Sequence, residues 1–310
     1  ALATALHSRA VATETATETA TETAQFRRQL SGKRVLLVED NELNQELAAE
    51  LLRAVGLVVS VAGDGRQALQ ALAQEQAFAL VLMDCHMPVM DGYQATQEIR
   101  RNPAWSQLPI VALTADAMKG TKEKVLQAGM NDYLSKPLDV GHLYATVLRW
   151  AGANTAAPAM AATAPNMAPL VATPTVPPKP GQALPGIDLA AALRVCNKDR
   201  QLLDKLLRMF CQNQADFGAR FVLAQQDTSD PQAAQRCAHS LKGSAGNIGA
   251  KVLASAAAVL EQACREAAAP QQQALLCQAL LRELDVVLSG LAQGGYAQPD
   301  PEATASDEDD

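Results

Sequence analysis

Aromatic residues are scarce in this chain: 2 Trp, 4 Tyr and 5 Phe stand among 310 residues, although 48% of the residues are hydrophobic. Ala, Leu and Val must therefore fill the cores, which favours packed helices and a buried parallel sheet over a β-sandwich. A basic excess is also lacking, since the formal net charge is −7, and this argues against a nucleic-acid partner. No apolar run approaches the roughly 18 residues that a membrane helix needs, so we expect no membrane contact by this segment.

Paired cysteines are lacking as well. The 6 cysteines are scattered without a Cys-x-x-Cys motif, and we expect small buried thiols in a reducing cytoplasm, not disulfides or zinc ligands. Residues 1–24 lack the basic-then-apolar layout of a signal peptide. The sequence begins at Ala1 with no methionine nearby, and we interpret it as a piece of a longer protein.

Changes of composition divide the chain into five predicted segments. A polar Ala-Thr-Glu repeat predicts a disordered tether over residues 1–32. Residues 33–151 alternate short Val/Leu runs with amphipathic stretches, which predicts an α/β domain with a doubly wound, flavodoxin-like, five-stranded parallel sheet. An Ala/Pro/Thr-rich linker follows over 152–186. Residues 187–292 have helical periodicity throughout and predict an all-α antiparallel four-helix bundle, and 293–310 read as an acidic disordered tail. Within the bundle, one apolar stripe predicts a single long helix from Leu202 through Phe221.

Polar residues stand at the ends of the predicted strands. Glu39 and Asp40 end the first strand, Asp84 ends the third, Thr114 ends the fourth, and Lys136 follows the fifth. Because the carboxyl ends of parallel strands meet at one edge of a sheet, we expect these side chains to share a pocket. Three carboxylates so close would repel one another without a cation, and all-oxygen ligands suit Mg²⁺. A phosphoryl group on Asp84 would then be neutralised by the metal and Lys136, with a hydrogen bond from Thr114.

These motifs resemble the response-regulator receiver family across the first predicted domain. The matching residues are the acidic pair, Met83-Asp84-Cys85-His86-Met87-Pro88-Val89-Met90-Asp91-Gly92, Leu113-Thr114-Ala115 and Lys136-Pro137. The resemblance implies that Asp84 is the phosphorylated residue. It also implies a Mg²⁺ site made by Asp40, Asp84, Glu39 through water and the backbone carbonyl of His86. Finally, it implies that Thr114 and Tyr133 rearrange together on phosphorylation, and that the Lys136–Pro137 bond is cis.

Two other uses of this fold match the sequence less well. A flavodoxin has a hydroxyl-rich phosphate loop after its first strand, whereas this chain has Glu39-Asp40-Asn41-Glu42, which would repel phosphate without a metal. A haloacid-dehalogenase phosphatase has a second aspartate two residues after its nucleophile, and here that position is His86.

His239 is the second candidate phosphoryl acceptor. At about 100° per residue it lies about 200° from Leu241, away from the apolar stripe of its helix, so we expect it to face solvent. Lys242 is placed to pair with a phosphoryl group on the imidazole. Gly243 and Gly246 leave room for an approaching protein, although each costs roughly 1 kcal/mol relative to Ala in a helix.

The segment His239-x-Leu241-Lys242-Gly243-Ser244, followed by Gly249-Ala250 and a helix ending Leu260-Glu261, resembles the histidine-phosphotransfer (HPt) family. The resemblance implies that His239 is phosphorylated and that the helical domain lacks an ATP site.

Two acceptors in one chain predict a phosphorelay. Asp84 would receive a phosphoryl group from an upstream sensor histidine kinase, and His239 would pass one to the receiver aspartate of a downstream response regulator. The arrangement resembles the C-terminal part of a hybrid sensor histidine kinase, which implies a cytoplasmic location, as at the cytoplasmic end of a membrane-bound kinase. An ATP-binding kinase core is not recognisable in the sequence, so whether the chain is itself an enzyme stays open. The alternative is a phosphorylation-dependent binding switch, with the helical domain as docking surface or phosphate sink.

Overall fold

The computed structural model describes residues 26–74, 77–115, 121–152 and 184–297. Its first part is a five-stranded, all-parallel sheet with the strand order β2-β1-β3-β4-β5. The strands are β1 (Arg34–Val38), β2 (Val58–Ala62), β3 (Phe78–Asp84), β4 (Ile110–Thr114) and β5 (Asp132–Ser135). The helices between and after them are α1 (Glu42–Ala54), α2 (Gly65–Gln74), α3 (Gly92–Arg101), α4 (Thr121–Gln127) and α5 (Val140–Gly152). The predicted flavodoxin-like fold is confirmed.

The unbroken Val/Leu runs of the strands are explained by two hydrophobic cores, one on each face of the sheet. Leu37 and Leu82 belong to the core that includes residues of α1 and α5. Leu36 and Val81, their neighbours along the strands, belong to the core that includes residues of α2, α3 and α4. Both faces are therefore dry, as expected for a parallel sheet covered by helices.

The second part of the chain is all-helical, as predicted. Its helices are α6 (Leu189–Val195), α7 (Arg200–Gln214), α8 (Phe217–Gln226), α9 (Ala233–Asn247), α10 (Lys251–Arg265) and α11 (Pro270–Gln293). None of the helices in the described ranges is both long and apolar enough to cross a membrane.

The prediction of one long helix through Phe221 is wrong, because α7 ends at Gln214 and α8 begins at Phe217. Arg220 stabilises this break: its guanidinium donates to the Asp216 carboxylate (2.8 Å) and to the backbone carbonyl of Asn213 (2.5 Å). It thereby satisfies a carbonyl that the end of α7 leaves without a helical partner. The apolar stripe continues across the break, since Phe217 and Phe221 stay buried, and periodicity alone could not reveal the interruption.

The two parts of the chain pack against each other through α1. Buried leucines of α1 and of α7, among them Leu47, Leu51, Leu203 and Leu206, belong to one continuous hydrophobic cluster. At the margin of this contact the ammonium of Lys205 pairs with Glu46 at 2.5 Å. Helix α1 therefore lies between the sheet and the bundle, so side chains at its N-terminal end can contact both domains.

Most of the predicted tether, linker and tail lies outside the described residues. The tether prediction over 1–32 extends too far, because residues 26–30 are helical and Leu30 is fully buried. The Phe26 ring contacts the Tyr144 ring at 5.5 Å between centroids, so apolar packing orders this turn. The end of the predicted linker also packs: Leu184 is buried, and Pro185 lies close against Gly290 of α11.

Gly92 offers a test of how tightly the loop after β3 is packed. A Cβ at this position would overlap the backbone oxygen of Asp84 and lie 3.0 Å from the Met83 side chain. We expect Gly92→Ala to lower the free energy of unfolding by about 1–3 kcal/mol, the usual cost of overpacking. Urea denaturation would measure this. Gly141→Ala is the control, because its Cβ would meet only an Asp139 oxygen at 3.4 Å; equal stability of the two variants would contradict the prediction.

Candidate functional site

An acidic pocket lies at the carboxyl edge of the sheet, between the ends of β1 and β3. Glu39 and Asp84 are almost fully buried there, and one oxygen of each carboxylate lies 2.6 Å from the Lys136 ammonium. Asp40 joins them, because one oxygen from each of the three carboxylates lies within 4.8 Å of the others. The strand order reverses between β1 and β3, the usual place for a functional crevice in such sheets. The predicted pocket is thus present.

The pocket holds three carboxylates and one ammonium, and the pKa values of the three carboxylates shift in different directions. Burial, reinforced by neighbouring Asp84, raises the pKa of Glu39 to about 8 even though Lys136 opposes the shift. Burial and Asp84 likewise raise the pKa of Asp40 to about 6. For Asp84, burial is outweighed by Lys136 and His239, which hold the pKa of its carboxyl below the ordinary value. The pocket therefore keeps Asp84 ionised while favouring protons on its two neighbours.

The remaining predicted residues of the first domain take different places. Thr114 is buried at the end of β4, beside Ser135 of β5, whereas Tyr133 is half-buried against the core on the α2/α3 face. The backbone N–H of His86 donates to Asp84 Oδ1 at 3.2 Å. The Lys136–Pro137 bond is cis, which confirms the prediction.

The expectation that His239 faces solvent is wrong, because this histidine is only 8% exposed. The helical-wheel argument identified a face away from the apolar stripe, but that face of α9 is covered by the first domain. The His239 ring lies 5.2 Å from the His86 ring between centroids. Nitrogen atoms of both rings and an oxygen of Asp84 lie within 4.8 Å of one another. The two predicted phosphoryl acceptors therefore face each other across the contact between the domains.

Glu261 of α10 is a site residue that the sequence analysis did not single out. Its Oε1 lies 3.0 Å from His239 Nδ1, and its other oxygen accepts a hydrogen bond from Lys242 at 3.1 Å. Arg265 donates to Glu261 at 2.8 Å. Burial opposes ionisation of Glu261, but hydrogen bonding and charge from His239 and Lys242 lower its pKa to about 2. The sequence signals are its position after Leu260 in the family resemblance, which assigns it no role, and a carboxylate on a buried face otherwise made of Leu and Ala.

Small polar side chains hold α9 against the N-terminal end of α1. The Asn41 side chain caps α1 by accepting from the Asn44 N–H at 3.1 Å. Its amide also donates to Ser240 Oγ at 2.6 Å and to Ser244 Oγ at 2.9 Å. Asn247 donates to Asn44 Oδ1 at 2.8 Å, and Asn44 in turn donates to Glu39 at 2.6 Å. The bundle is therefore hydrogen-bonded through one bridging asparagine to the acidic pocket.

The glycines and the lysine of the predicted histidine motif also lie at this contact. A Cβ on Gly243 would lie 3.3 Å from the Asn44 amide, and one on Gly246 would lie 4.0 Å from Pro137. Lys242 reaches the backbone carbonyl of Ala115 at 3.5 Å. The space that the glycines leave is thus filled by the first domain of the same chain.

An acidic pocket at the switch point of a parallel sheet thus faces a carboxylate-paired histidine on a helical bundle. The family model described as response regulator receiver domain matches residues 35–148, and the model described as Hpt domain matches residues 205–293. The chain therefore contains a response regulator receiver domain followed by an Hpt domain. The predicted outer boundaries of these domains stay predictions.

Curated relatives match over little more than a third of the chain, which in turn spans only a small part of their own length. Sensor protein GacS of Pseudomonas syringae pv. syringae is 50% identical over 125 residues, which is 38% of this chain and 13% of GacS. Signal transduction histidine-protein kinase BarA of Escherichia coli K12 is 42% identical over 116 residues, 37% of this chain and 12% of BarA. Among solved structures, the receiver domain of sensor histidine kinase PA1611 from Pseudomonas aeruginosa PAO1, with magnesium in its active-site cleft, is 45% identical. That match covers 39% of this chain and 99% of PA1611REC, with a TM-score of 0.37.

Proposed function

We propose that this chain is a phosphorelay module of a hybrid sensor histidine kinase, acting in the cytoplasm. In it, Asp84 accepts a phosphoryl group from the phosphohistidine of an upstream sensor kinase. His239 then takes the group from Asp84 and passes it to the receiver aspartate of a downstream response regulator. The observation that carries the proposal is the placement of Asp84 and His239, with ligand atoms within 4.8 Å, across one contact in one chain.

Asp84 is suited to be the nucleophile of the first transfer. Its low pKa keeps a lone pair available on the carboxylate, and an oxygen of this group attacks phosphorus as the bond to the donor imidazole breaks. The Lys136 ammonium, 2.6 Å from Asp84 Oδ2, would balance the charge that arrives with the phosphoryl group. Thr114 ends the neighbouring strand and supplies a hydroxyl at the same edge.

His239 is prepared for the second transfer by Glu261. Because the Glu261 carboxylate occupies Nδ1, the proton of a neutral imidazole resides there and the lone pair lies on Nε2. Nε2 would attack phosphorus as the bond to the Asp84 oxygen breaks, which regenerates the Asp84 carboxylate. The positive charge that develops on the ring is balanced by Glu261.

The residues of the acidic pocket also fit a divalent cation. Oxygen ligands from Asp40 and Asp84, with Glu39 acting through water, are of the kind that Mg²⁺ prefers, and these three carboxylates offer oxygens within 4.8 Å of one another. The backbone carbonyl of His86 is the proposed third direct protein ligand. When bound, Mg²⁺ would offset the negative charge of the phosphoryl oxygens during transfer.

Binding of Mg²⁺ should depend steeply on pH, since the cation must displace protons from the pocket. Asp40 has a pKa of about 6 and Glu39 of about 8, so protons compete with the metal below these values. We expect the apparent affinity to rise by up to about 100-fold per pH unit below pH 6, where two protons must leave, and by about tenfold per pH unit between 6 and 8. Thermal unfolding with and without Mg²⁺ would measure this as a larger rise of Tm at pH 8 than at pH 5.5. Asp40→Asn should reduce the effect, whereas the exposed Asp139→Asn control should not; a pH-independent rise of Tm would contradict the prediction.

Radiolabel transfer tests the proposed order. The chain is incubated with a labelled phosphodonor kinase, and acid-stable and base-stable label are separated, since acyl phosphates are lost in base and phosphohistidine in acid. We expect His239→Ala to retain label on Asp84, and Asp84→Asn to lose label at both positions. Label reaching His239 as readily in Asp84→Asn as in the unchanged chain would defeat the proposal.

The same two variants distinguish transfer within one chain from transfer between chains. Mixed together, they supply one working aspartate and one working histidine on separate molecules. Tethering gives effective concentrations in the millimolar range, so at about 10 µM protein we expect the unchanged chain to transfer about 100-fold faster than the mixture. Equal rates would show that the contact between the domains does not serve transfer within the chain.

A further inference from the structure

A second group of possible metal ligands overlaps the acidic pocket. Asp84, His86 and His239 offer one ligand atom each, all within 4.8 Å of one another. This group differs from the Glu39/Asp40/Asp84 group in chemistry, since two of its three members are imidazoles. It also differs in position, because it includes one residue of the Hpt domain and bridges two domains.

His86 has no part in the transfer chemistry described above except through its backbone. Its Nδ1 is buried, yet it has no hydrogen-bond partner within the described ranges of the chain. Its ring lies between those of Tyr93, at 6.2 Å, and His239, at 5.2 Å between centroids. A buried polar atom without a partner is uncommon and calls for a bound water or ion.

His239 is oriented as metal-binding histidines are. Such residues almost always donate one ring N–H to a carboxylate, a backbone carbonyl or water, which fixes the tautomer and makes the other nitrogen a better ligand. The Glu261 carboxylate contacts His239 Nδ1 at 3.0 Å and so leaves Nε2 as the nitrogen available to a metal. Lys242 and Arg265 also bind Glu261, which holds this carboxylate in place.

We propose that Asp84, His86 and His239 form an inhibitory site for a zinc-type transition-metal cation that clamps the receiver domain onto the Hpt domain. Two imidazoles and one carboxylate suit Zn²⁺, whereas Mg²⁺ prefers oxygen ligands alone. Three protein ligands and one water complete a tetrahedral site. Zn–ligand distances of about 2.0–2.2 Å put tetrahedral ligand atoms roughly 3.4 Å apart, so small rotations of the two rings would close the site.

A bound Zn²⁺ would inhibit the proposed phosphoryl transfer, because it would coordinate the atoms that react. A bound Zn²⁺ would occupy the Nε2 lone pair of His239, and this lone pair is the nucleophile of the second transfer. It would also occupy the Asp84 oxygen needed for the first transfer. The proposed Zn²⁺ binding does not depend on the proposed function, but the proposed effect of Zn²⁺ on phosphoryl transfer rests on that function.

Titration calorimetry of the full chain with Zn²⁺, in a phosphate-free buffer with excess Mg²⁺, tests the site. We expect one site whose affinity falls at least tenfold in His86→Ala and in His239→Ala. His142→Ala is the matched control, because His142 is exposed on α5 and lies outside the cluster; it should bind as the unchanged chain does. Unchanged affinity in His86→Ala, with folding verified by circular dichroism, would overturn the proposal.

Co²⁺ provides a second readout, because its visible spectrum distinguishes imidazole and carboxylate ligands from the thiolates of the chain's free cysteines. Co²⁺ bound by imidazole and carboxylate should show tetrahedral d–d bands without a thiolate charge-transfer band, and a thiolate band would overturn the assignment. In the radiolabel assay, Zn²⁺ should slow transfer to His239 in the unchanged chain and much less in His86→Ala. Equal slowing in both would show that His86 is not a ligand, whereas failure of transfer without any Zn²⁺ would count against the proposed function alone.

Discussion

Replacing Lys136 with methionine should abolish phosphoryl transfer through Asp84 and lower the free energy of unfolding by about 3–5 kcal/mol at pH 8. The Lys136 side chain is only 8% exposed and pairs with both Glu39 and Asp84 at 2.6 Å. Methionine preserves most of the volume but leaves two buried carboxylates without their cation. Burial opposes the charged form of Lys136, yet Asp84 and Glu39 outweigh it and hold the lysine's pKa above its ordinary value.

The loss of stability in Lys136→Met should depend on pH. Without the ammonium, protons must neutralise the buried carboxylates, so their pKa values in the folded state lie above those of the unfolded chain. The folded state then binds more protons than the unfolded state, and stability falls as pH rises above about 4.5. Urea denaturation at pH 5.5 and pH 8 should therefore show the larger loss at pH 8.

Lys205→Met is the matched control for this substitution. Its ammonium also pairs with a carboxylate, Glu46, but the lysine side chain is 51% exposed. A surface pair of this kind contributes about 0–1 kcal/mol, so the control should stay near the unchanged chain and retain transfer. Adding Mg²⁺ should restore part of the stability of Lys136→Met by supplying another cation. An Asp84 that is still phosphorylated at the normal rate in Lys136→Met would contradict the role given to this lysine.

The acidic pocket could be predicted from sequence because its geometry is local to the strand ends. Any residue that directly follows a buried parallel strand lies at one edge of the sheet. Five recognisable strands are therefore enough to place Glu39, Asp84 and Lys136 at the same edge of the sheet. The same reasoning does not apply to a helical bundle, where a residue's neighbours depend on how separate helices rotate and pack.

The contacts of Glu261 and the surroundings of His239 could not be predicted from the sequence for this reason. Glu261 is 22 positions from His239 and meets it only because α9 and α10 pack side by side. A helical wheel identifies the face on which His239 lies, but not the domain that covers this face. The hydrogen bonds of Asn41 and Asn247 join residues about 200 positions apart, and they exist only once the two domains have docked. The composition of the intervening linker contains no information on that docking.

Docking in this arrangement has a consequence for partners. With His239 only 8% exposed, a downstream receiver cannot reach this histidine while the chain's own receiver covers it. Asp84, at 1% exposure, is equally hidden from an upstream kinase. Under the proposed function, the closed arrangement would suit transfer between Asp84 and His239, whereas loading of Asp84 and unloading of His239 would both require the domains to separate. The polar contacts of Asn41, Asn44 and Asn247 are compatible with such opening, because water can replace each hydrogen bond.

Replacing Glu261 with glutamine should slow transfer to His239 by about 10–100-fold, the usual effect of removing the partner that orients a reactive imidazole. Glutamine keeps nearly the same shape but removes the charge that balances the ring during attack. Its amide can also turn an N–H towards Nδ1, which would move the ring proton to Nε2, the nitrogen that must attack. Nitrogen-15 NMR of His239 would report this change of tautomer, which loss of structure alone would not produce. Glu266→Gln, an exposed change five positions further along the chain, just past the end of α10, is the control and should leave both rate and tautomer unchanged. If Glu261→Gln transferred at the normal rate with an unaltered tautomer, the carboxylate would be only a structural neighbour of the histidine.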